Sequence, residues 1–157
     1  MNINRFLTIL LVTASLAAGF DVAASAPTDV TSRTQVLSSS AAKTALCMEL
    51  LKSDKKLGEA LFSYSKSSAN LSSIFTKMEE RGKGYGAKLF RLVCAMLKKK
   101  GCTVLTFNAC PFESARNDQP YDLPTLVSFF ENLGAHVVKY QDYLHGQPTT
   151  AVMAINL

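Results

Sequence analysis

Three closely spaced glycines between an apolar run and an amphipathic segment constrain this chain more than any other feature. Arg81-Gly82-Lys83-Gly84-Tyr85-Gly86 follows Leu71–Thr76 (LSSIFT), which predicts a strand, by way of Lys77–Glu80. Beyond the glycines, Tyr85, Leu89, Leu92, Val93, Met96 and Leu97 recur at helical spacing. Lys98, Lys99 and Lys100 fill the last turn, where cations complement the macrodipole, and Gly101 stands where a left-handed C-cap residue is wanted. Cys102–Ala109 (CTVLTFNA) is then a β-rich run. A strand, glycine loop, helix and strand in that order require a parallel pair closed by a right-handed crossover.

Glycines at such a junction let the backbone approach a pyrophosphate closely, while the unpaired amides of the helix start point at its oxygens. Spacing separates the families that use this device. A dinucleotide fingerprint needs GxGxxG and a later acidic residue to hold a ribose, but the glycines here fall at 82, 84 and 86, and the second strand ends at Asn108 without one. A nucleotide-triphosphate loop needs Gly-Lys followed by Ser or Thr, and here Lys83 precedes Gly84.

The remaining pattern, Arg81-x-x-Gly84-x-Gly86, resembles the coenzyme A pyrophosphate loop of the GNAT N-acetyltransferase superfamily, as does the preceding SSIFTKMEE. The resemblance implies an α/β (α+β) fold: a GNAT-like mixed sheet with a strand–glycine loop–helix–strand core and a C-terminal antiparallel pair. It implies acetyl-CoA as cosubstrate, with backbone groups of Ile74, Phe75 and Thr76 meeting the pantetheine arm. Arg81, Gly82, Lys83, Gly84, Tyr85 and Gly86 would wrap the pyrophosphate, and the acetyl group would pass to an amine on a small molecule or protein. A second segment, Leu126–Ala135 (LVSFFENLGA), resembles the family's later helix with two departures. Phe130 stands where many members carry a tyrosine that protonates the departing thiolate, and Ala135 replaces the usual aromatic. Phenylalanine donates no proton, so the general-acid role is vacant there. Tyr121 and Cys110 are substitutes to consider, and a core aromatic is the simpler role for Phe130. The alternative to an enzyme is a coenzyme A binding or interaction module derived from such a domain.

The resemblance spans 71–157. Asp122 is positioned to cap a helix carrying Leu126, Phe129, Phe130 and Leu133, closed by Gly134, after a loop over Pro111–Pro120. Ala135–Tyr140 and Thr150–Leu157 flank a turn at His145-Gly146-Gln147-Pro148 and predict the closing antiparallel pair. Before residue 71 the reading differs. Residues 25–40 are small and polar and predict a linker, while Leu46, Leu50, Leu57 and Leu61, broken near Ser53-Asp54, predict two short helices within 41–70. The family's usual three strands and two helices before the fourth strand are not legible there. The expectation is a shortened acceptor side with N-terminal strands missing, for which a second copy forming a homodimer is one remedy.

The first residues form a separate unit. Arg5 precedes the uncharged run Phe6–Phe20, with small residues at Val22-Ala23-Ala24 ahead of Ser25, which predicts a signal peptide over residues 1–24. An uncleaved anchor is the competing reading. Export to a periplasmic or secreted location follows, and because acetyl-CoA is held in the cytosol, delivery into another cell is one way to reconcile the two. Arg5 and Asp21 cancel, so the net charge of +5 belongs to the remainder. Lys98–Lys100 is a solvated helix end without interleaved aromatics, which argues against nucleic acid. Cys47, Cys94, Cys102 and Cys110 contain no CxxC pair and the histidines are His136 and His145 alone, a spacing that suits no metal.

Overall fold

The computed structural model describes residues 29–111 and 121–157. The expected signal peptide (1–24) and most of the loop after Pro111 lie outside the described residues. The chain folds as seven strands and two helices: β1 (Val30–Ser39), β2 (Thr44–Lys52), β3 (Lys55–Ser65), β4 (Ser68–Thr76), α1 (Tyr85–Lys99), β5 (Val104–Ala109), α2 (Leu123–Glu131), β6 (His136–Leu144) and β7 (Gln147–Asn156). The strands make one mixed sheet in the order β1-β2-β3-β4-β5-β7-β6, in which β4–β5 is the parallel pair. This is the mixed α+β architecture expected from the glycine-loop unit.

The N-terminal expectations need correction. The predicted linker supplies β1, an edge strand paired on one side only, and it reads as polar because little of it is buried. The predicted helical segment supplies β2 and β3. Leu46 and Leu50 are four residues apart, an interval that suits one helical turn and two strand repeats alike. Met48 decides between them: 46, 48 and 50 share one face of a strand, and all three side chains are buried. Ser53-Asp54, which resembles a helix break, is a two-residue hairpin turn with φ of 47° and 63°. Among the described residues the sheet therefore extends back to Val30, three strands ahead of β4. What residues 30–76 lack is any α-helix before β4. Because all seven strands come from one chain, the motive for a second copy to supply them is removed.

The core lies under the helices. Tyr85, Leu89, Phe90, Val93 and Leu97 form the buried face of α1, which packs on β2, β3 and β4, whereas α2 packs on β5, β6 and β7. Fully burying an aliphatic or aromatic side chain stabilises by roughly 1.5–3 kcal/mol, so these faces fix both helices on the sheet. They meet through aromatic rings: Phe130 of α2 lies 5.3 Å from Phe90 of α1 and 4.6 Å from Phe107 of β5. Asp122 caps α2 as expected, its Oδ1 accepting from the Thr125 amide at 2.8 Å.

One interruption shapes everything that follows. β4 and β5 pair only over Ser68–Leu71 with Val104–Phe107. Past that point β4 continues against β3, and β5 continues against β7. The β3–β4 register shifts at the same place, Phe62 facing Leu71 and Leu61 facing Ser73, so Ser72 is an extra, bulged residue. The strands part there, leaving backbone groups on their facing edges without a ladder partner.

Candidate functional site

A cleft of about 950 Å³ occupies the gap between the parted strands. Ser72, Ser73, Ile74, Phe75 and Thr76 of β4 form one wall, and Asn108 and Ala109 of β5 another. The glycine loop closes one end and α2 contributes Leu126, Phe129 and Phe130. Of the nine residues assigned to coenzyme A from the sequence, Ile74, Phe75, Thr76, Arg81, Gly82, Gly84, Tyr85 and Gly86 all line this one cleft. Lys83 is not among its lining residues.

The loop leaves the start of α1 open toward the cleft. Gly84 is the N-cap of α1 in a left-handed conformation, φ 79° and ψ 1°, which a side chain rarely adopts. The first intrahelical bond runs from the Lys88 amide to the Gly84 carbonyl, so the amides before it have no acceptor within the helix. No acidic residue occupies the first turn of α1. Gly86 is needed for closeness: a Cβ there would meet Thr76 Oγ1 at 3.3 Å and Phe129 Cζ at 3.6 Å. A larger side chain would therefore push between β4, α1 and α2.

Charge is arranged around the same loop. Arg81 Nε donates to the Thr76 carbonyl at 3.4 Å, and its guanidinium lies 5.7 Å from the centre of the Tyr121 ring. Lys83 Nζ pairs with Glu80 Oε2 at 2.9 Å. That hydrogen bond holds the Glu80 carboxyl below the usual range. Glu80 lines the cleft, so Lys83 borders it only through this ion pair.

Phe130 is 5% exposed and surrounded by Phe90, Phe107 and Phe129, yet it also lines the cleft. It is thus a core aromatic with one edge on the site. Tyr121 is exposed and lines the cleft beside Arg81, and Cys110 is an exposed thiol just past the end of β5. Burial pushes the Cys94 thiol up to about 11, and its half-buried side chain packs against the core. Sequence reasoning missed Ser72, Ser73 and Thr125 as lining residues. Their signal was present in part, because two serines inside an apolar strand mark the place where the ladder breaks.

No family model and no curated protein matches the sequence. Solved structures match the fold. A GNAT family acetyltransferase from Elizabethkingia anophelis with acetyl-CoA bound superposes with a TM-score of 0.63 over 83% of this chain and 99% of that one, at 9% identity. An IAA acetyltransferase from Bacillus cereus gives a TM-score of 0.58 over 72% and 78%, at 15% identity. The PaiA N-acetyltransferase of Thermoplasma acidophilum in complex with coenzyme A gives 0.54 over 72% and 61%, at 18% identity. At these identities the likeness establishes the fold, a mixed sheet shared with GNAT acetyltransferases.

Proposed function

We propose that this chain is an N-acyltransferase that moves an acetyl group from acetyl-CoA to an amine. The observation that carries the reading is a cleft opened by the parting of the parallel pair β4–β5 and ended by a helix start with no acid in its first turn. The residues present suit the cosubstrate. Left-handed Gly84 and the close approach at Gly86 clear the loop for phosphate oxygens, and Arg81 adds a cation at the mouth. The unladdered edge of β4 offers amides to a pantetheine arm and, near Phe75, a donor to polarise a carbonyl, a contribution that is often the largest in such chemistry. Bound there, acetyl-CoA supplies a thioester: the amine nitrogen forms the C–N bond, the C–S bond breaks, and the thiolate takes the proton the nitrogen sheds.

Calorimetry on residues 25–157 tests this directly. Wild type is expected to bind coenzyme A, and Gly84→Val to lose that binding at least about 100-fold while remaining folded, because a β-branched residue is strained at positive φ. A well-folded wild type that binds no coenzyme A removes the reading. A second reading, a binding module without turnover, is favoured by the missing hydroxyl at Phe130 and by the lack of a helix before β4. Export is proposed alongside either reading: sequencing the mature protein is expected to find its N-terminus near Ser25, and recovery of Met1 in the mature protein would contradict it.

A further inference from the structure

We infer that Tyr121 is a positioning residue for the cosubstrate's diphosphate, its ring steadying the Arg81 guanidinium across the mouth of the cleft. The assignment rests on the acyltransferase reading and gives that site a residue which neither β4 nor the glycine loop supplies.

The two side chains come from opposite banks. Arg81 opens the glycine loop after β4, and Tyr121 lies in the segment that leads into α2, yet both line the cleft. Arg81 Cζ sits 5.7 Å from the centre of the Tyr121 ring, within the range at which an aromatic face attracts a cation. From the other side Arg81 Nε donates to the carbonyl of Thr76, the last residue of β4. The guanidinium is thus restrained from the β4 bank and from the α2 bank at once. An arginine gripping a ligand loses rotamer freedom, and a contact that restrains it beforehand lowers that cost. An aromatic partner is also neutral. It steadies the cation without the charge cancellation a carboxylate brings, so the pull on phosphate oxygens is kept.

Two other roles compete for the same side chain, and each uses a different part of it. Tyr121 directly precedes Asp122, the N-cap of α2, a place from which apolar bulk can staple to the fourth helical residue, here Leu126. A proton donor to the departing thiolate would need the hydroxyl instead. Only the contact with Arg81 needs the ring itself. The residue is 47% exposed, so it can be changed without opening the core.

Substitutions separate the three parts. Tyr121→Phe keeps the ring and drops the hydroxyl, Tyr121→Leu and Tyr121→Met keep apolar bulk without a ring, and Arg81→Gln removes the cation. Coenzyme A binding is followed by calorimetry, and binding of pantetheine, which lacks the diphosphate, by NMR titration. Tyr121→Phe is expected to bind coenzyme A within about twofold of wild type, and the two ringless variants about three- to tenfold more weakly. Pantetheine affinity and melting temperature are expected not to move. In transfer assays the ringless variants should raise KM for acetyl-CoA with little change in kcat, and Tyr121→Phe should change neither. Beside Arg81→Gln, Tyr121→Leu should cost nothing further, because the group it acts through is gone. The inference is overturned if the ringless variants bind coenzyme A as wild type does, if Tyr121→Phe loses as much as they do, if pantetheine weakens in step, or if the loss persists beside Arg81→Gln. Wild type that binds no coenzyme A would remove the acyltransferase reading itself, whereas coenzyme A binding that is insensitive to the ring removes the role of Tyr121 alone.

Discussion

On one side of the cleft, β1–β4 follow one another through connections of four, two and two residues, and β2–β4 rest on α1. On the other, β5, β7 and β6 rest on α2, and the chain passes through a longer excursion between β5 and β6. The first half is ruled by backbone fit and the second by side-chain packing. At Gly58 of β3, any Cβ would run into the Phe75 carbonyl oxygen of β4. In the second half the comparable constraint is a ring cluster, Phe107 with Phe129 and Phe130. The difference separates two kinds of contact: in the first half backbone meets backbone where β3 and β4 pair, and in the second side chains meet where α2 packs against α1 and β5.

The strongest way to break the comparison is Gly58→Ala. Backbone must move to admit one methyl, so a loss of about 3 kcal/mol or more is expected, read as a lowered denaturant midpoint. Gly84 is the control: nothing lies within 4 Å of a Cβ there, and its strain is conformational, roughly 1–2 kcal/mol. If Gly58→Ala melts like wild type, the β3–β4 contact is not the constraint described.

Phe130→Tyr sharpens the second half. A proton donor at the cleft edge typically contributes ~100-fold or more to rate. Transfer is expected to rise with little change in coenzyme A affinity, provided the hydroxyl reaches the cleft. Enclosed instead among Phe90, Phe107 and Phe129, an unpartnered hydroxyl would cost about 1–3 kcal/mol of stability with no gain in rate. Stopped-flow thiol release and a melting curve on the same sample separate these outcomes. Coenzyme A binding without turnover in either protein would favour the binding module.

The smallest effect belongs to the sheet of the first half. Glu49 of β2 sits opposite Glu59 of β3, and Lys56 bridges them, 3.2 Å from Glu49 Oε1, while Arg33 of β1 lies 2.6 Å from Glu49 Oε2. The Arg33 hydrogen bond, then Lys56, holds the Glu49 carboxyl below the usual range. A depressed carboxylate contributes stability above its unfolded value, ~4.3, and loses it as pH falls through the folded value. Glu49→Gln is expected to flatten the loss of stability below pH ~4, by no more than about 1 kcal/mol for so solvated a pair. An unchanged acid limb would show the pair to be inert.

What the sequence made legible follows the same division. The glycine loop, α1 and its C-cap, the Asp122 cap and the closing hairpin all rest on local signals, because a positive φ, a capping oxygen or a helical stripe each needs only a few neighbouring residues. β1, β2 and β3 were hidden. β1 is an edge strand whose alternation is too shallow to see, and in β2 the four-residue leucine interval fits both periods until Met48 is counted. The cleft's far wall depends on where two distant strands part, and only Ser72 and Ser73 hint at it.

The short pairing of β4 with β5 has a consequence for how the molecule opens. Four residue pairs are a narrow seam between two half-sheets that each carry their own helix, and the ring cluster is one of the ties across it, beside side-chain bonds such as Asn70 to the Thr106 carbonyl. The amides of Ser68–Leu71 and Val104–Phe107 that point across this seam should therefore exchange with solvent through a local parting rather than global unfolding. A ligand that grips both banks protects that seam by mass action, about 2.7 kcal/mol at a hundredfold excess over its dissociation constant. Occupancy would thus be written into the exchange rates of the amides that bridge the seam before any chemistry occurs.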